Sequence, residues 1–98
     1  MIIKGKFNQV EVIFNCKGKY YNGQPAITCT LPSGEPYATL TTCIEGAVLG
    51  SGETILDTNN NPTVVCDLAA AGLIDTIKGT ISSGFCTYRV VKVLEELL

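Results

Sequence analysis

From Val10 the chain alternates, with Val10, Val12 and Phe14 on one side and Glu11, Ile13 and Asn15 on the other. That two-residue period is the pattern of a strand with one buried face. Met1 to Phe7 reads as a partner strand preceding it. Lys17-Gly18-Lys19 and Asn22-Gly23 are turn-prone, after which Ala26 to Leu31 sets Ile27, Cys29 and Leu31 against Ala26, Thr28 and Thr30. Pro32-Ser33-Gly34 supplies a fixed φ and a glycine for a tight connection. Tyr37 to Ile44 then reads as one strand, rich in Thr with Ala38, Leu40 and Ile44 interleaved, and the simplest arrangement of the two neighbours is a hairpin.

Glycines at 46, 50 and 52 mark a loop, and Glu53 to Asp57 reads as a short strand with Ile55 opposing Thr54 and Leu56. A helix of about ten residues is expected next. Asn60 or Asn61 suits its N-cap, Pro62 its first position, and Gly72 the left-handed residue past its end, with Leu73 placed for the hydrophobic contact of a Schellman ending. Val64, Val65, Leu68, Ala69 and Ala71 form its apolar face. A linking stretch including Gly79 leads to a long strand from Phe85 to Val93, in which Tyr88 and Val90 alternate against Arg89 and Val91. Leu94 to Leu98 reads as a tail or final helical turn whose leucines cap the core or join a partner. The pattern predicts one α+β domain over residues 1–98, an antiparallel sheet of four to six strands with one main helix packed on one face.

Composition narrows the class without naming a function. The 98 residues are 46% hydrophobic and 16% charged, with a net charge of -2. Disorder needs low hydrophobicity and high net charge, and a bilayer span needs a much longer apolar run than any here. Lys4 and Lys6 interrupt the apolar start, so no signal peptide is expected. The five cysteines at 16, 29, 43, 66 and 86 include no CxxC pair that would pre-assemble a zinc site or redox couple. An odd count without a signal peptide suits reduced, mostly buried thiols and a cytoplasmic location.

Histidine is absent, which removes Ser-His-Asp and Cys-His catalysis and most catalytic metal sites. A non-enzymatic protein without cofactor or metal is therefore expected. Asp57, followed by Thr58, Asn59, Asn60 and Asn61 before a helix start, is a candidate polar-ligand site, with Asp57, Asn59 and Asn60 as the contacts. The same residues are ordinary capping and Asx-turn chemistry, which by itself explains every residue type present. In Ser82-Ser83-Gly84-Phe85-Cys86-Thr87-Tyr88, Cys86 lacks the base a nucleophile requires, with only Arg89 near in sequence. Phe85 and Tyr88 are expected as core and half-exposed strand side chains. Seven basic residues against nine acidic ones make no basic stripe. Lys4, Lys6, Lys17 and Lys19 suit a solvated strand edge, and nucleic acid is not expected as a direct partner.

Tyr20-Tyr21-Asn22-Gly23, Gly34-Glu35-Pro36-Tyr37-Ala38-Thr39-Leu40-Thr41, Asp57-Thr58-Asn59-Asn60 and Ser83-Gly84-Phe85-Cys86-Thr87-Tyr88 occur here in that order. Together they resemble a bacterial family of short proteins, a domain of unknown function carried on phages, plasmids and conjugative elements. The resemblance spans Tyr20 to Tyr88. It departs where family members follow the final Tyr with proline, since Arg89 stands there. It carries no catalytic residues. What it implies is a mobile genetic element and an accessory role such as an anti-defence or anti-CRISPR inhibitor acting by protein contact on a host protein. Tyr20, Tyr21, Glu35, Tyr37 and Tyr88 are the contact candidates, because aromatic side chains give large contact area at low entropy cost. A nucleotide-binding sponge and a self-associating structural subunit are the alternatives.

Overall fold

A computed structural model describes residues 3–98. The elements in chain order are β1 (Ile3–Phe7), β2 (Val10–Lys19), β3 (Pro25–Thr30), β4 (Pro36–Thr39), β5 (Thr41–Thr42), β6 (Glu53–Leu56), α1 (Val64–Ala70), β7 (Ile74–Ser83), β8 (Cys86–Val93) and a 3-10 turn at Glu95–Leu97. All strand pairs are antiparallel. The α+β class holds, but the single sheet does not: the strands form two four-stranded sheets, ordered β1-β2-β3-β4 and β5-β6-β8-β7.

The division falls at Leu40. Tyr37 to Ile44 reads as one strand in sequence, yet the Leu40 N–H donates to Ile27 C=O in the first sheet, while its C=O accepts from Asp57 N–H beside the second. One residue thus ends β4 and begins β5, and its side chain is fully buried at the change of sheet. Thr41 Oγ1 reinforces the corner by accepting from Ile27 N–H at 3.1 Å.

The main apolar cluster lies where the sheets and α1 meet. Phe7, Val12, Phe14, Cys16, Ile27 and Cys29 come from the first sheet, and Leu56, Val91 and Val93 from the second. Val64 and Leu68 come from α1, Leu73 from just beyond it and Leu97 from the last turn. The alternation through β2 and β3 therefore places the buried face where sequence puts it. The described part of the expected first strand, Ile3–Phe7, pairs with β2, while Met1 and Ile2 lie outside the described residues. Asn8 and Gln9 join β1 to β2 with φ of 53° and 66°, the two positive values of a type I′ turn.

The helix begins later than expected. It has seven residues, Thr63 is its N-cap, and no side chain caps it. Asn60 and Asn61 are not caps, because other partners hold them: Asn60 Nδ2 donates to Asp57 Oδ2 at 2.9 Å and Asn61 Nδ2 to Thr39 C=O at 3.3 Å. Pro62 consequently precedes the helix. At the other end Gly72 has φ 77°, its N–H donates to Ala69 C=O, and Leu73 N–H donates to Leu68 C=O. These are the two bonds of a Schellman motif, with Leu73 buried as its hydrophobic contact. A helix this short has little stability alone, so its apolar packing maintains it.

The stretch containing Gly79 is a ten-residue strand, β7, rather than a link. Bulges between Ile74 and Thr76 and between Ile77 and Gly79 break its two-residue period. Its apolar residues, Ile74, Ile77 and Ile81, are left spaced by three and four, which hides the strand. The following strand starts at Cys86, since Gly84 and Phe85 form the loop. Gly84 has φ 61° at the first loop position, the requirement of a II′ hairpin. The terminal leucines cover the core: Leu97 is buried, and Leu94 and Leu98 pack against the cluster.

Candidate functional site

Two of the motifs converge through strand register. Leu56 of β6 pairs with Arg89 of β8, so the chain leaving β6 carries Asp57 and Thr58 past Tyr88 and Thr87. Thr58 Oγ1 donates to Thr87 C=O at 3.3 Å. Asp57 holds Asn60 twice, accepting from its amide at 2.9 Å and from its backbone N–H at 3.4 Å. Asn59 is exposed and Cys86 half-buried. A hydrogen bond with Cys86, reinforced by partial desolvation and by the nearby thiol and Asp57 charges, holds the Tyr88 phenol above its usual range. The result is a polar cluster whose carboxylate is occupied by the backbone and side-chain amides of Asn60, and the short α1 adds no anion site to it. Among the described residues no three metal-ligating side chains come together.

The contact candidates do not form one patch. Tyr20 is structural, its hydroxyl 3.0 Å from Thr41 Oγ1 at the corner between sheets. Tyr21 is 85% exposed in the β2–β3 turn. Glu35, just before β4, and Tyr37, within β4, lie at the other end of β3, about six residues or ~20 Å away. Tyr37 meets Phe7 edge to face with ring centroids 6.2 Å apart. Tyr88 belongs to the second sheet. The lysines also separate: Lys4 and Lys6 are exposed on the β1 edge strand, whereas Lys17 Nζ donates to Leu98 C=O at 3.1 Å.

A different surface is continuous. The β2–β3 turn and the Ala47–Glu53 loop enclose an open cleft of about 700 Å³, with Lys19, Asn22, Gln24, Val48, Glu53 and Glu95 among its walls. Val48 is 95% exposed, and Tyr21 lies in the turn between the wall residues Lys19 and Asn22 without itself lining the cleft. The cleft has a rigid base. Gln24, only 5% exposed, donates through Nε2 to Thr42 C=O at 2.8 Å and to Thr54 Oγ1 at 2.9 Å. Thr54 Oγ1 in turn donates to Pro25 C=O at 2.7 Å. Gln24 Oε1 is buried without a hydrogen-bond partner. Asn22 Oδ1 accepts from Gln24 N–H, and Glu53 Oε1 from Gly50 N–H, so side chains fix both loops.

Sequence reasoning misses Val48, Gln24 and Phe85. Val48 sits in a glycine-rich loop where no period distinguishes exposed from buried, and Gln24 follows a turn that conceals its inward direction. Phe85 corrects the expectation of a core or half-exposed strand residue, for it is fully exposed at the β7–β8 tip. Its signal was present: a glycine opening a two-residue loop between β-prone runs places the next side chain outside.

No protein-family model matches the chain, and the searches of curated proteins and of solved structures give no match either. No helix of the described residues is long and apolar enough to cross a membrane.

Proposed function

We propose that this is a non-enzymatic binding protein that engages a protein partner through the cleft between the β2–β3 turn and the Ala47–Glu53 loop. The carrying observation is the exposure of Val48 on the cleft wall and of Tyr21 in the turn one residue before the wall residue Asn22, beside a cleft braced by the Gln24–Thr54 hydrogen bonds. An aromatic anchor beside a concave, rigid surface is the arrangement that supplies most of the energy in protein interfaces. The four-motif resemblance gives the finer reading, an inhibitor of a host defence nuclease encoded on a mobile element and acting in the cytoplasm. The test is nuclease cleavage in the presence of the purified protein, with Tyr21→Ala and Val48→Asp as variants. Inhibition by the parent chain, weakened about tenfold or more by either change with the fold intact, supports this reading. Failure to bind any defence effector, together with no rescue of phage or plasmid transfer, refutes it.

A second reading, binding of a small polar ligand such as a nucleotide, is favoured by the register that gathers Asp57, Asn60, Thr58 and Tyr88. Calorimetry with nucleotides decides it, and affinity unchanged in the Asp57→Ala/Asn60→Ala double variant removes the site.

A further inference from the structure

We infer that Asn22-Gly23 is a self-modification site, at which the chain converts its own Asn22 to aspartate and isoaspartate through a cyclic imide. The reaction needs these two residues and water. The Gly23 backbone nitrogen attacks Asn22 Cγ, and the new N–C bond closes a five-membered ring. The Cγ–Nδ2 bond breaks, and the amide departs as ammonia with the proton that Gly23 gives up. Water then opens the imide at Cγ to leave aspartate, or at the backbone carbonyl carbon to leave isoaspartate.

Of the asparagines at 8, 15, 22, 59, 60 and 61, Asn22 alone precedes glycine. A side chain on the following residue obstructs the approach of its nitrogen to Cγ, and glycine has none. Asn22 and Gly23 are both exposed in the β2–β3 turn, and a Cβ on Gly23 would meet nothing within 4 Å. Gln24 N–H donates to Asn22 Oδ1 at 2.9 Å, so the carbonyl under attack is polarised and the negative charge that develops on it has a donor in place. The nucleophile's own hydrogen bond, to Tyr20 C=O at 2.9 Å, closes an exposed turn that water can open by local fraying. Asn15 is an internal control. Its Oδ1 accepts from Lys17 N–H at 3.0 Å in the same pattern, but the buried Cys16 follows it within β2. Conversion of Asn22 removes the amide that donates to Cys43 Sγ. Isoaspartate also adds a backbone carbon between Tyr20 and Gln24, whose N–H to C=O bond of 2.8 Å closes the turn. Either product places a new carboxylate on the cleft wall that Asn22 lines. Any effect on partner binding rests on the cleft reading, whereas the modification does not.

The test holds the purified parent chain for weeks in ammonia-free buffers from neutral to mildly alkaline pH. Isoelectric focusing, peptide mapping by mass spectrometry and enzymic methylation of isoaspartate are the readouts. A gain of one negative charge per chain is expected, confined to the peptide containing Asn22. Isoaspartate should accompany aspartate, and the rate should rise with pH because the attacking nitrogen must shed its proton. Asn15 should still keep its amide when half of Asn22 is converted. Asn22→Gln should hold its charge over the same period, since closure on the longer side chain needs a six-membered ring. An Asn22 amide that lasts as long as that of Asn15 overturns the proposal. So does conversion to aspartate without isoaspartate, which is direct hydrolysis, or equal acidification of Asn22→Gln. Charge and mass are read without any partner, so the outcome is separate from whether the cleft binds one.

Discussion

Gly5 lies where β1 passes between Phe14 and the end of α1, and a single methyl there is expected to destabilise the fold. A Cβ built on Gly5 would stand 2.8 Å from the Phe14 ring and 3.1 Å from the Ala71 methyl. Carbon atoms rest ~3.5–4.0 Å apart, so the ring must retreat by roughly 0.7 Å or more and the helix end by roughly 0.4 Å or more. Phe14 is 2% exposed within the main cluster and has little room to turn away. Overpacking of this kind costs about 1–3 kcal/mol, offset by the ~0.4–1 kcal/mol that alanine contributes by restricting the unfolded chain. The backbone φ of Gly5 is not positive, so that gain applies in full. Gly5→Ala should lose about 1–2 kcal/mol, seen in urea denaturation followed by circular dichroism and as a drop of ~5–15 °C in Tm. Phe14→Leu opens space at the closest contact, so the double variant should lose less than the sum of the single losses by ~0.5 kcal/mol or more. A Gly5→Ala protein as stable as the parent, or strictly additive losses, would refute this account of the β1–α1 contact.

Two further expectations concern buried polar groups. Thr54→Val keeps the shape but removes the acceptor for Gln24 Nε2 and the donor to Pro25 C=O, both in a fully buried setting; a loss of ~1–3 kcal/mol is expected by chemical denaturation, and a neutral result would mean the network adds no stability. Burial raises the Cys16 thiol against the opposing pull of Lys17, and raises Cys29 against a backbone hydrogen bond from Ala38, both from an ordinary value of 9.0. The unfolded chain therefore releases these protons first, so their contribution is fully present below about pH 9 and is lost as pH rises through the higher folded values. Urea midpoints measured across that range should fall in the parent and fall less steeply in Cys16→Ala/Cys29→Ala, while equal slopes would count against thiol linkage.

The parts of this fold that sequence discloses are those in which local period and tertiary environment agree. β2 and β3 alternate, and their buried residues are the alternating ones. The Gly72–Leu73 ending of α1 is legible because a positive φ and a following leucine are local requirements. The start of α1 is not, because Asn60 and Asn61 have capping chemistry while Asp57 and Thr39, brought near by the fold, bind them instead. β7 is hidden by two bulges whose effect on spacing imitates a helix. Leu40 is hidden because a residue that donates to one sheet and accepts beside another looks, in one dimension, like any strand interior.

The same distinction governs function. Tyr20 and Tyr21 are identical neighbours in sequence, yet the change of sheet at Leu40 brings Thr41 under the Tyr20 hydroxyl and leaves Tyr21 free. The corner that divides the sheets thus determines which tyrosine is left exposed to solvent. Gln24 ties the β2–β3 turn to Thr42 and Thr54, on either side of the Ala47–Glu53 loop, so both walls of the cleft are referred to one buried amide. Loosening that amide should move the walls relative to each other before it unfolds either sheet. Binding at the cleft is therefore expected to be more sensitive than global stability to changes at Gln24 and Thr54.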